Sequence, residues 1–427
     1  MRDCFDLPLT TQSSKAVEHY NTGVSLFLSA QAGVEDAFEA ALNEDPGLAL
    51  AHIGLARQAA LFARRGAFQD HIAKAEALSA NLSDREKGHV RFHALMLGGK
   101  PAEAFEFASD QHLREYPRDG LVSNACIGVF SLIGFSGRPA RDAENLAFVT
   151  RLEPFAKQDW WFQAQLGFAQ LETGLFFEAE KNLEKALSAN PASAHTAHVY
   201  AHFMYETGQS ARGRNILDDF MGTYDPRGMM ICHNSWHQAL WAMIDGDISR
   251  CWELFDYAIG PGAITAPPIN IATDAVALLF RLDLAGHEVT QDRWKAVSDY
   301  AVQNFGKPGM GFADLHSALS HAMAGENERL ATIVDGAKGP VAPLVSTMGR
   351  AFAALHARKW QDAIAEIEKV IAQHVRFGGS NAQRDLIEFA LVYALIQRGS
   401  GDEARRLLAR RRPNVAGAKL IEGLELA

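Results

Sequence analysis

Cysteine is scarce in this chain. Four of them (Cys4, Cys126, Cys232, Cys251) are spread over 427 residues with no CxxC pair. That spacing fits a reducing compartment and argues against a disulfide framework. Long apolar runs are missing too. The longest, Leu121 to Phe135, is interrupted by Ser123 and Asn124 and falls short of the ~20 residues a membrane-spanning helix needs. The opening MRDCFDLPLTT carries two aspartates and no signal-peptide core, so the expectation is a cytoplasmic protein. Positive charge is in deficit, with 41 Lys and Arg against 51 Asp and Glu, which argues against nucleic-acid or membrane partners. The one basic cluster, Arg405 to Pro413, reads as the solvated end of a helix. No GxGxxG or P-loop occurs, so no nucleotide cofactor is expected. GxSxG and HExxH are absent as well, which leaves the nucleophile elbow and the commonest zinc-hydrolase helix without support.

Strand-like alternation is equally hard to find, whereas helical periodicity runs throughout. In WWFQAQLGFAQLETGLFFEAEKNLEKALSANP, residues Leu166, Gly167, Ala179, Ala186 and Pro191 fall at the intervals of a tetratricopeptide helix–turn–helix unit. Small residues let two helices approach closely, and the proline ends the second. Weaker copies occur at Ala37 to Ala56, Trp360 to Ile371 and Gly401 to Pro413. The prediction is all-α: an α-solenoid of antiparallel helix pairs, one continuous superhelix and a single domain over residues 1–427, with about twelve units at ~34 residues each. Three connectors (Gly134 to Asn145, Gly260 to Thr273 and Phe305 to Phe312) are longer and richer in Gly and Pro than a plain repeat requires, and are candidates for functional loops.

Histidine is concentrated in one place. Of sixteen, five (His195, His198, His202, His233, His237) lie between positions 195 and 237. On helices, His198 and His202, and likewise His233 and His237, are one turn apart and share a face. Such pairs can chelate a divalent ion such as zinc, with Asp314 or His316 from FADLH adding a further ligand. A metal-free polar pocket and plain interhelical packing of imidazoles account for the same spacing. Farther on, Ser380 and Gln383 read as a capping box. That leaves Arg384 and Asp385 unexplained beside a helix N-terminus suited to an anion. Trp236 is placed to wall a pocket, and Cys232 reads as a small core residue.

The strings AHVYAHFMYETG, CHNSWHQALW, FDYAI followed by TDAVALLFRL, FADLH and GGSNAQRD resemble the tetratricopeptide repeat protein 38 family. The likeness runs through the C-terminal two-thirds of the chain and more loosely through the rest. It implies an all-helical repeat fold, and it carries over His198, His202, His233, Asn234, Trp236, His237, Asp314, His316, Gln383, Arg384 and Asp385 as family-pattern positions, without a settled reaction. The functional expectation is a pocket for a small polar or anionic molecule. Chemistry there would be by histidine acid/base action, with or without metal assistance, hydrolysis being the leading class. His198, His237, Asp314 and His316 are the candidate catalytic groups, with Asp314 orienting His316. His198, His202, His233 and His237 are the candidate metal ligands. Asn234, Trp236, Gln383, Arg384 and Asp385 would bind substrate, Arg384 as an anion clamp. The alternative is a non-catalytic scaffold for a peptide or protein partner.

Overall fold

A computed structural model describes residues 1–411. Among them every regular segment is helical, apart from one isolated bridge between Arg2 and Pro8. Consecutive helices pack as neighbours: Ser14–Ser29 on Val34–Glu44, Ala49–Leu61 on Arg65–Leu78, Trp160–Glu172 on Phe176–Ala189, and Ala342–His356 on Trp360–Glu368. This is the α-solenoid architecture. No helix among the described residues is long and apolar enough to cross a membrane.

The tetratricopeptide signature works as its residue sizes require. A Cβ on Gly167 would meet the Leu183 side chain at 2.8 Å, and Ala179, Leu183 and Ala186 are fully buried, so Leu183 packs directly against the bare backbone of Gly167. Near the N-terminus the Phe38 ring is wedged between two glycines. A Cβ would lie 2.7 Å from it at Gly23 and 2.4 Å from it at Gly54.

The chain divides into two compact units. One comprises Met1–Ile133, Ala143–Val199 and Thr223–Met230; the other comprises Gly134–Asp142, Tyr200–Gly222 and the chain from Ile231 onward. The core of the first includes Tyr20, Phe38, Phe92, Leu121 and Phe162. That of the second includes Trp236, Phe280, Leu315, Phe352 and Leu386.

The expected connectors are shorter than their Gly and Pro content suggests. Helix Pro268–Leu284 begins inside the second of them, because a proline at the first helical position gives up an N–H that has no partner there anyway. Asp274 is thereby helical. Helix Arg141–Ala156 likewise takes over the end of the first connector, and Gly311–Met323 the end of the third. In the basic cluster, Arg405 pairs with Asp402 at 2.5 Å on helix Gly401–Arg411. Its end at Pro413 lies outside the described residues.

Candidate functional site

Two helices bring imidazoles of the second unit together. Helix Ala194–Glu206 carries His202, and helix Ile231–Asp245 carries His233 and His237 one turn apart. All three are buried, and each has a ring nitrogen within 4.8 Å of those of the others. His202 and His237 meet Nε2 to Nε2 at 3.2 Å. His233 turns its Nδ1 onto the Asp274 carboxylate at 2.7 Å. His198 is also buried. It precedes His202 by one turn of the same helix and is counted with the first unit.

The walls are aromatic and cationic. Trp236 stacks on His233 with centroids 5.3 Å apart and planes 11° from parallel. The Arg281 guanidinium sits 5.3 Å over Trp236 and 5.6 Å from the Phe389 ring, and donates to the Ala382 carbonyl at 2.7 Å. Nearby, the Tyr205 hydroxyl donates to Asp385 at 2.8 Å. Burial holds His237 well below the ordinary imidazole range, and His202, His233 and Arg281 push the same way. His237 is therefore a neutral ring with a lone pair to offer.

The donor set suits a borderline divalent ion. Two nitrogens at about 2.0–2.1 Å from a tetrahedral zinc stand roughly 3.3–3.4 Å apart, close to the 3.2 Å found between His202 and His237. A ligating histidine usually donates its other N–H to a carboxylate, which fixes the tautomer. His233 and Asp274 have that relation. Zinc is consequently compatible with the nitrogens as they stand.

Asp314 does not orient His316. Two residues apart on helix Gly311–Met323, the side chains point in different directions. Asp314 accepts from the Gly309 amide at 2.9 Å and caps the glycine loop, its carboxyl pushed up to about 6 by burial. His316 donates from Nδ1 to the Phe312 carbonyl at 2.8 Å, and burial lowers it to about 4.

Arg384 is likewise not aimed at an open anion site. Its guanidinium donates to the Gly379 carbonyl and to Asn381 Oδ1, and it lies 3.3 Å from Asp142. Arg141 donates to the same Gly379 carbonyl, and also to Gly134 and Val375. The tight loop explains why two arginines are needed. Gly378 and Gly379 take φ of +99° and +73°, and a Cβ on Gly379 would sit 2.5 Å from Phe312. Turned this way, their carbonyls need donors from elsewhere.

Ser380 and Gln383 form the expected capping box, which occupies the Gln383 oxygen and leaves its Nε2 buried without a partner among the described residues. Asn234 is more exceptional. It is fully buried, and neither amide atom has a hydrogen-bond partner among the described residues. Each such atom costs about 1–3 kcal/mol if it stays unsatisfied. Cys232 is a buried core residue whose sulfur lies 4.0 Å from Asp274.

Spacing gives Asp274, Arg281 and Tyr205 no role: Asp274 and Arg281 reach the site from helix Pro268–Leu284, and Tyr205, on the His202 helix, turns to Asp385 on helix Asn381–Gln397. A second buried polar centre lies in the first unit. Asp119 receives His89 Nδ1 at 2.9 Å, His112 Nε2 at 2.9 Å and Arg85 Nε at 3.0 Å. Arg85 also reaches Asp3 at 2.8 Å. The signal was present in DREKGHVRFH, where Arg85, His89 and His93 recur every four residues on one helix. No protein-family model matches the chain.

Proposed function

We propose that the second unit binds one divalent metal ion such as zinc on His202, His233 and His237, and hydrolyses a small polar or anionic molecule in the cytoplasm. The chain would then be a tetratricopeptide repeat protein 38 family member. One observation carries the reading: His202 and His237 present Nε2 to Nε2 at 3.2 Å beside a third imidazole already fixed by a carboxylate.

A bound divalent ion would supply Lewis acidity. The chain's own residues do the rest. Asp274 keeps the proton on His233 Nδ1, so that its Nε2 offers a lone pair. Trp236 and Arg281 cover the rings on one side and keep bulk water from them. Asn234 offers one donor and one acceptor to a polar group that enters.

Metal analysis of the purified protein, paired with cobalt titration followed by tryptophan fluorescence, tests the reading. Stoichiometric metal is expected, with quenching from Trp236 that disappears in Trp236→Phe. His237→Ala should abolish both the metal and the quenching. If His237→Ala merely lowers the melting temperature of a protein that never held metal, the imidazoles are packing groups. Capture of a peptide without turnover would favour the scaffold.

A further inference from the structure

The first unit holds a buried cation that has no counter-ion among the described residues. Arg57, on helix Ala49–Leu61, is only 9% exposed. Its Nη1 donates to the Leu121 carbonyl at 3.0 Å and approaches His93 Nε2 at 3.2 Å. Its Nη2 donates to Asn124 Oδ1 at 3.2 Å. One face of the guanidinium lies over the Phe27 ring at 5.0 Å. Every one of these partners is neutral.

His93 is fixed as neutral by its own bonds. Its Nδ1 is 2.9 Å from the His89 carbonyl, which can only accept, so the proton sits on Nδ1 and Nε2 is left to accept from Arg57. The unit's buried carboxylates are engaged elsewhere: Asp3 and Asp119 are bound by Arg85, His89 and His112, and Glu86 accepts from the Thr10 and Ser83 amides. Burial alone drags the Arg57 guanidinium down to about 10. A buried charge without a partner is among the costliest features a fold can carry.

The hydrogen-bond inventory shows what would relieve it. A guanidinium has five N–H groups. The bonds to Leu121, His93 and Asn124 use three. Two remain, one on Nη2 and one on Nε, and two N–H groups are what a carboxylate takes in a bidentate pair. Asn124 is half-buried, so solvent reaches this edge.

We propose that Arg57, held by His93, Asn124 and Phe27, is a carboxylate-binding site in the first unit. One positive charge beside a neutral imidazole is balanced by a monoanion, whereas the second charge of a phosphate would go unmatched. The carboxylate can belong to a small molecule or to the C-terminus of a peptide.

Thermal melts in sodium acetate against sodium chloride at equal ionic strength test the site, together with line broadening of carbon-13 acetate. Acetate should raise the melting temperature saturably, by roughly 2 °C, and broaden in the presence of protein. Arg57→Gln should lose both effects and melt higher than the wild type without acetate, since the unpaired charge is gone. Should Arg57→Gln fail to fold, Asn124→Ala is the second variant, expected to weaken acetate binding several-fold. A short peptide that binds tighter than acetate only when its terminus is not amidated identifies a peptide end; equal indifference to both peptides identifies a small molecule. Phosphate outcompeting acetate, equal response to chloride, or acetate effects retained in Arg57→Gln overturns the proposal.

Discussion

His202 and His237 face each other Nε2 to Nε2 at 3.2 Å, both out of contact with water. Without an ion, one ring must keep its proton on Nε2 and donate to the other. With an ion, both carry the proton elsewhere and both lone pairs point at it. The choice of tautomer and the occupancy of the site are thus one equilibrium.

Asp274→Asn should expose that equilibrium. The amide fills the same space but no longer fixes the proton on His233 Nδ1. Zinc affinity is expected to fall by about 10–100-fold, with little change in far-UV dichroism. A competition titration with a chromophoric chelator reads the affinity. An unchanged value would remove Asp274 from the site.

Stability should fall as the medium is acidified from pH 6.5 toward 4. His316 and His321 are each lowered to about 4 by burial, while the unfolded imidazole titrates near 6.5. Between those values the unfolded state binds more protons. The stability contributed by the neutral rings is therefore complete above about 6.5 and lost on the way down. Asp314 has the opposite sign. Its carboxyl, raised to about 6, binds the proton better when folded, and so opposes the loss between about pH 4 and 6. Denaturant titrations across this range should show His316→Gln with a shallower slope than the wild type and Asp314→Asn with a steeper one.

Gly54→Ala should destabilise the first unit by about 1–3 kcal/mol, the cost of overpacking a filled core. The new methyl would lie 2.4 Å from Phe38. Shortening the ring with Phe38→Leu should make the two changes less costly together than their sum, as read by a double-mutant cycle.

Arg384→Met should behave as a structural lesion. The Gly379 carbonyl keeps Arg141, but Asp142 and Asn381 lose a donor. A drop of about 2–4 kcal/mol is expected, while metal content per folded molecule stays at the wild-type level. A fold of unchanged stability that no longer binds an anion would restore Arg384 as a clamp.

Several features were legible before any coordinates. Gly167, Ala179 and Ala186 announced a close helix pair because residue size and periodicity act locally. The same holds for the box between Ser380 and Gln383, whose bonds close within one turn. His233 and His237 could be put on one face for the same reason. The rest depended on which helix lies beside which. Nothing in FADLH tells that Asp314 turns back to Gly309 and away from His316. Likewise, GGSNAQRD does not show that Arg384 and Arg141, 243 positions apart (384 minus 141), hold one carbonyl.

Local chemistry in the sequence therefore determined the helices, their pairing and a concentration of imidazoles, since propensity, capping and side-chain size act over a few residues. Only the tertiary structure decided that Asp274 would fix His233 and that Arg57 would lie buried with no acid beside it among the described residues. Both depend on contacts between segments far apart in the chain, and a residue's own neighbours in sequence do not set what packs against it.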